Sequence, residues 1–145
     1  MGTKGTATDR AHAVTVIALG RSMEIAVNET GLTSSQFRAL ALVRAGITNS
    51  GVLARFLAVR PPTVTTVMQG LVEDGLVART RRADDRRRVD YELTPSGVDA
   101  LTEANAAADG ALASLASSLD KSAREAALAG LDLWRDALDA KRTAP

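Results

Sequence analysis

Apolar and polar residues repeat with helical spacing along most of the chain, most clearly over residues 61–73. At 100° per residue, the larger apolar side chains of this stretch fall on one arc of roughly 140°. That arc contains Val64, Val67, Met68, Leu71 and Val72, and the opposite one contains Pro62, Thr65, Thr66, Gln69 and Glu73. Proline suits the first position of a helix and glycine its end, so Pro61 and Gly75 bound it. The pattern predicts a short helix with one buried face.

A β-hairpin is predicted directly after this helix. Residues 76–81 and 89–94 show partial alternation of apolar and polar side chains, which is typical of half-buried strands. The loop between them has the sequence RADDRRR over residues 82–88. A helix with small polar side chains suits a DNA major groove, and an arginine-rich hairpin suits phosphates or a minor groove. The two elements together predict a winged helix-turn-helix.

The remaining elements are predicted to be helices. The first covers residues 9–28, and the second starts at Thr33 or Ser34, where Gln36 completes a capping box. The third is capped by Asn49 or Ser50. After the hairpin, a long helix starts at residue 95 with residue 94 as its cap, and a last helix starts near residue 120. Three helices followed by a hairpin is the order that builds a winged helix.

The predicted fold is mainly α with a small β-hairpin wing and dimerisation helices at both ends. A disordered tail over 1–8 precedes an N-terminal dimerisation helix over 9–30, a DNA-binding lobe over 31–94 and C-terminal dimerisation helices over 95–142. The apolar stripes on the terminal helices need a further partner, which a second subunit would provide. The residues predicted to form this interface are Val14, Ile17, Leu112, Leu115, Leu131, Trp134 and Leu138.

Composition narrows the chemistry that the chain can support. The 145 residues contain no cysteine and one histidine, His12, so thiolate or histidine-rich metal sites and histidine-centred catalysis have almost no ligands to draw on. The Asp84-Asp85 pair is flanked by arginines and fits a structural ion-pair site better than a catalytic one. We therefore expect no enzyme activity, no metal and no cofactor.

No apolar run approaches the roughly 20 residues of a membrane span, which favours a cytoplasmic, nucleoid-associated protein.

Charge is distributed unevenly along the chain, although the net charge is only +1. Residues 33–93 carry ten basic and six acidic side chains, a net +4, whereas residues 94–145 carry five and eight, a net −3. The excess of positive charge therefore lies in the section that contains the predicted helix and hairpin. A modest basic footprint of this kind supports binding to DNA.

Several motifs resemble those of the multiple antibiotic resistance regulator (MarR) family of transcription factors. They are VRPPTVT at residues 59–65, GLV at 75–77, DRR at 85–87 with Val89, and LTPSG at 93–97. The family has an aspartate-x-arginine at the wing, and the leucine of a leucine-threonine pair stands six positions after that arginine. Arg87 and Leu93 fit this spacing. The resemblance extends over roughly residues 10–140.

The resemblance implies a homodimeric regulator, predicted to be a repressor, that binds a palindromic operator in double-stranded DNA. On the family pattern, the side chains that face the major groove are Pro62, Thr63, Thr65, Thr66 and Gln69. Asp85 would orient Arg87 into the minor groove, while Arg86 and Arg88 would neutralise phosphates. The resemblance also implies a small aromatic or phenolic effector, although no residue in the sequence identifies one.

This chain departs from the family pattern on the recognition helix itself. Many relatives have an arginine at the position of Thr66, and residues 61–78 here contain no Lys or Arg. More of the affinity for DNA should therefore depend on Arg60 and the wing. Arg60 also replaces a common Ser or Thr cap, which predicts a less well capped helix. The alternative hypothesis is a winged-helix dimer that acts mainly as a protein-interaction module and binds DNA weakly.

Overall fold

A computed structural model describes the backbone over residues 7–81 and 89–143 and the side chains over 11–80 and 89–141. The described residues form six helices and a two-stranded hairpin. In chain order they are α1 (Ala7–Glu29), α2 (Ser34–Arg44), α3 (Ser50–Leu57), α4 (Pro61–Glu73), β1 (Val77–Arg81), β2 (Val89–Leu93), α5 (Pro95–Ala116) and α6 (Lys121–Thr143). The predicted fold class is confirmed.

The boundaries differ from the prediction at three points. Helix α1 begins at Ala7, so it includes two residues of the predicted disordered tail. Each strand is one residue shorter than predicted. Leu76 and Thr94 at the base share one backbone hydrogen bond, and each also bonds to the end of a helix. The Leu76 amide donates to the carbonyl of Leu71 at 2.9 Å and closes the end of α4, while Thr94 caps α5.

Local hydrogen bonds start the helices where the sequence indicates. In the capping box of α2, the Gln36 amide donates to Thr33 Oγ1 at 3.2 Å, and the Thr33 amide donates to Gln36 Oε1 at 2.9 Å. Asn49 Oδ1 accepts from the amides of Gly51 and Val52 in the first turn of α3. Arg60 makes no side-chain cap at α4, as expected, and the prolines at the first two positions leave fewer amides to satisfy there.

One apolar core joins α1 to α5 and the hairpin. Its buried members are Val27, Leu32, Ala39, Leu40, Val43, Leu53, Ala54, Leu57, Val64, Met68, Leu71, Val77, Tyr91, Leu101 and Ala104. The last two lie in the first half of α5, so this half contributes to the same core. The assignment of residues 95–142 to dimerisation stays a prediction. In the described chain, residues up to Asp109 form one compact unit, and residues from Gly110 form another.

The hairpin is antiparallel, and the α2–α3 connection adds a third short segment to it. Val77 pairs with Leu93 at its base, and Arg79 pairs with Tyr91. On the other edge of β2, the Tyr91 amide donates to the carbonyl of Thr48 at 3.2 Å, and an isolated bridge joins Asn49 to Asp90. The base of the wing is thus hydrogen-bonded to the segment that leads into α3.

The hydroxyl of Thr94 joins the ends of three elements. It donates to the carbonyl of Gly75 at 2.6 Å, just after α4, and accepts from the amide of Gly97 at 3.0 Å in the first turn of α5. The Thr94 amide donates to the carbonyl of Leu76 at 3.1 Å. Gly97 is buried against this carbonyl, and a Cβ at residue 97 would overlap it. These contacts account for the threonine and the glycine of the motif at residues 93–97.

Gly97→Ala should therefore destabilise the lobe. The added methyl group meets backbone, which cannot rotate away, and overpacking of this kind typically costs about 1–3 kcal/mol. Chemical denaturation followed by circular dichroism would measure the change. Gly110→Ala in the same helix is the matched control, because a Cβ there would meet no atom within 4 Å beyond its own stretch of helix backbone, and alanine is the better helix former. Equal stability of the two variants would contradict the proposed clash.

Candidate nucleic-acid interface

Helix α4 is held by its apolar face, as predicted. Met68 and Leu71 are fully buried and Val64 is nearly so, while Val67 and Val72 pack at the margin of the same core. The helix contacts both α2 and α3. Three buried anchors over two turns leave little freedom to rotate about the helix axis, because any rotation would expose one of them. The opposite face is therefore directed outward.

The turn between α3 and α4 has its own restraints. Ala58 ends α3 in the left-handed conformation, with φ of 55°, and the Val59 amide donates back to the carbonyl of Ala54 at 3.2 Å. Arg38 on α2 donates from Nη2 to the carbonyl of Leu57 at 3.3 Å. An arginine at a helix C-terminus satisfies a free carbonyl and complements the helix dipole. Arg38 thus links α2 to the end of α3 by a hydrogen bond. This bond helps to fix α3 relative to α2.

The residues predicted to read DNA from α4 lie together on its outer face. Arg60, Pro62, Thr63, Thr65, Thr66 and Gln69 are all exposed. The hydroxyls of Thr65 and Thr66 donate to the carbonyls of Pro61 and Pro62, each at 3.2 Å. Their protons are thus engaged within the helix, and the remaining lone pairs and the methyl groups are free for base edges, which offer both donors and thymine methyl groups.

A cleft of about 360 Å³ lies between the C-terminal half of α4 and the hairpin. It is lined by Thr65, Met68, Gln69, Val72, Glu73, Arg79 and Tyr91. Arg79 contributes a cation beside a helix that has none of its own, and it was not among the predicted site residues. Strand alternation could have found it, since Arg79 lies two residues after the buried Val77 and therefore on the same face of β1.

The structure brings together only part of the predicted site. The wing residues Asp85, Arg86, Arg87 and Arg88 lie outside the described residues, so their assignment stays a prediction.

Within the described part of the chain, no group of three or more His, Asp or Glu side chains could hold a metal ion. None of the described helices is both long and apolar enough to cross a bilayer.

A helix-turn-helix formed by α3 and α4, with a hairpin paired beside it, defines a winged helix-turn-helix protein. A model described as "MarR family" matches residues 30–88. The HTH-type transcriptional regulator MT0903.1 of Mycobacterium tuberculosis is 30% identical over 125 residues, which are 86% of this chain and 87% of the relative. Mb0904 of Mycobacterium bovis, also described as an HTH-type transcriptional regulator, gives the same values. The chain belongs to the MarR family of DNA-binding transcriptional regulators, and its relatives are regulators rather than enzymes.

Solved structures with the same fold cover nearly the whole chain. A variant of Staphylococcus aureus MepR bound to an oligodeoxyribonucleotide has a TM-score of 0.65 and 22% identity, covering 92% of this chain and 99% of MepR. NadR in complex with 4-hydroxyphenylacetate has a TM-score of 0.68 and 24% identity, covering 94% and 95%. Tm0710 of Thermotoga maritima has a TM-score of 0.70 and 20% identity, covering 95% and 98%. At these identities the likeness concerns the fold.

Proposed function

We propose that this chain is a homodimeric, sequence-specific transcriptional repressor that binds a palindromic operator with one α4 in each of two major grooves. The observation that carries the proposal is the outward face of α4, which three buried anchors hold in place. A two-fold symmetric dimer presents two identical helices, so its operator should have matching half-sites. Such a repressor would act in the cytoplasm, on the nucleoid.

In this proposal, two sets of residues bind DNA, one at α4 and one on the wing. Arg60, at the N-cap of α4, contacts phosphate. On α4 itself, base edges or phosphates are contacted by Pro62, Thr63, Thr65, Thr66 and Gln69. On the wing, Asp85 orients Arg87 toward the minor groove, and Arg86 and Arg88 neutralise phosphates. Because α4 contains no Lys or Arg, the wing and Arg60 should supply most of the electrostatic affinity, and α4 should supply sequence preference.

The dimer is proposed from apolar side chains that the single chain leaves exposed. In α1, Ile17 is 71% exposed and Val14 is similarly open. In α6, Trp134 is 67% exposed, and Leu131 and Leu138 lie on the same arc of the helix. Leu115 near the end of α5 is also exposed, and Leu112 is half-buried. Large exposed apolar patches of this kind mark protein interaction surfaces, and a second copy of the chain would cover them.

The alternative function, a protein-interaction module with weak DNA binding, is favoured by one observation, the absence of cations from α4. A binding titration against the upstream intergenic DNA of its own gene, at low and moderate salt with competitor DNA, separates the two. Tight, competitor-resistant binding that weakens with salt supports the repressor, since phosphate contacts release counterions. Weak binding shared by any DNA supports the interaction module.

Arg87→Ala should weaken operator binding at least about tenfold and leave the dimer intact, because it removes a cation from the minor groove but no apolar surface. Fluorescence anisotropy with a labelled operator would measure the affinity, and analytical ultracentrifugation would measure the dimer. Lys121→Ala is the matched control, since this exposed cation begins α6 and lies off the arc of Leu131, Trp134 and Leu138. Unchanged affinity in the Arg87 variant would contradict the assignment of the wing.

Leu138→Asp should shift the protein toward monomer, because an unpaired carboxylate would be buried at the proposed interface. Sedimentation velocity over a concentration series would measure the dimer dissociation constant, which we expect to rise at least about tenfold. Circular dichroism would check that the helices remain folded. Ala129→Asp, which adds the same carboxylate on the opposite side of α6, serves as the control. A variant of Leu138 that dimerises as tightly as the parent would argue against this face.

A small aromatic acid is proposed as the effector, on the family resemblance and on the complex of NadR with 4-hydroxyphenylacetate. An effector that prefers the DNA-free spacing of the two recognition helices lowers operator affinity by the ratio of its affinities for the two states. We expect millimolar 4-hydroxyphenylacetate to release the operator at least in part. Benzyl alcohol, which lacks the carboxylate, controls for nonspecific effects, and equal release by both compounds would contradict recognition of an acid.

A further inference from the structure

A side-chain hydrogen bond on the outer face of α4 was not anticipated from the sequence. Gln69 donates from Nε2 to Oε1 of Glu73 at 2.9 Å, one turn further along the helix, and both side chains are exposed. Both also line the cleft that faces the hairpin. We propose that Glu73 is a positioning residue that fixes the carboxamide of Gln69 and thereby sets its base preference to adenine. This inference rests on the proposed binding of DNA.

The argument starts from the chemistry of the two groups. A carboxylate can only accept hydrogen bonds, whereas a carboxamide has an accepting and a donating end that are nearly equal in shape. Beside Glu73, the donating end of Gln69 must therefore point along the helix toward the carboxylate. The flipped amide would place its oxygen against the negative charge. One hydrogen bond thus selects one of the two amide orientations, and charge assistance strengthens it.

The fixed orientation leaves a defined pattern for a base. Gln69 Oε1 stays available as an acceptor, and the second proton on Nε2 stays available as a donor. Adenine presents the complement in the major groove, a donor at N6 and an acceptor at N7, and glutamine binds it through both atoms. Guanine presents two acceptors there, so the outward oxygen of Gln69 would face the O6 or N7 acceptor unfavourably.

The charge of Glu73 argues for a role in selectivity. It is the only charged side chain within α4, and a carboxylate on a face that approaches phosphates opposes binding to every DNA sequence. An i,i+4 pair with glutamine stabilises a helix only slightly, and an uncharged partner could do the same. Glu73 should thus lower affinity for DNA in general while it raises the discrimination between bases.

The test uses the full-length protein and a random library of DNA duplexes. Selection with the wild-type protein defines an operator, and Gln69→Ala identifies the base pair whose preference it loses. Glu73→Gln keeps the length of the side chain but can donate as well as accept, so Gln69 can flip. Glu73→Ala removes the acceptor altogether. Asp74→Asn removes the neighbouring carboxylate without touching Gln69 and is the matched charge control.

We expect both Glu73 variants to reduce the preference for adenine at that base pair by about fivefold or more. Glu73→Gln, Glu73→Ala and Asp74→Asn each lose a charge and should each bind random DNA more tightly, but Asp74→Asn should leave the base preferences unchanged. In a Gln69→Ala background, Glu73→Gln should change no base preference further, because the group that it positions is gone. Circular dichroism on each variant would confirm that the helices are retained.

Two results would overturn the inference. If the wild-type protein selects an operator and both Glu73 variants keep its base preferences, Glu73 does not position Gln69, and the proposed repressor stands without it. The same holds if Gln69→Ala changes the preference at no base pair. If the wild-type protein selects no sequence, the proposed function itself fails and the inference fails with it.

Discussion

The burial of one side of α4 is the constraint on which the rest of the structure depends. The helix packs against α2 and α3, and its buried side chains are Val64, Met68 and Leu71. Full burial of side chains of this size contributes roughly 1.5–3 kcal/mol each. Among the described residues, the side-chain hydrogen bonds on the other side are local, such as the hydroxyl bonds of Thr65 and Thr66 to the preceding turn. The orientation of the polar face is therefore a consequence of core packing.

Hydrogen bonds at the end of α4 extend this constraint to the hairpin. Thr94 joins Gly75, Leu76 and Gly97 within one junction, so the base of the wing and the start of α5 are fixed with respect to the end of α4. On the other edge of the hairpin, β2 pairs with Thr48 and Asn49 in front of α3. The helix and the hairpin are thus restrained from two directions, which a surface that contacts DNA at two grooves requires.

The sequence predicted those features that arise from nearby residues. The capping box of Thr33 and Gln36, the start of α4 at Pro61 and its two faces all follow from local spacing and propensity, and the structure confirms them. Contacts between distant segments were not predicted. Leu101 and Ala104 join the core of the lobe, Tyr91 pairs with Thr48, and Arg38 binds the end of α3.

The candidate site likewise contains residues that the sequence could place and residues that it could not. The exposed residues of α4 could be placed from a helical wheel, whereas Arg79 required the register of the hairpin and the hydrogen bond from Gln69 to Glu73 required side-chain positions. Helical spacing allows an i,i+4 pair, but several rotamers compete for it. The roles of the wing arginines and of the dimer faces remain predictions, since they depend on DNA and on a second chain.

The central claim is that the outward face of α4 reads DNA while its inward face stays packed. Methyl resonances test this most directly, because Thr65 and Thr66 carry methyl groups on one face and Val64 and Met68 on the other. On titration of the selectively labelled protein with its selected duplex, the account predicts large chemical shift changes for both threonines and small ones for Val64 and Met68. Tight binding of the duplex without a change at either threonine would contradict it.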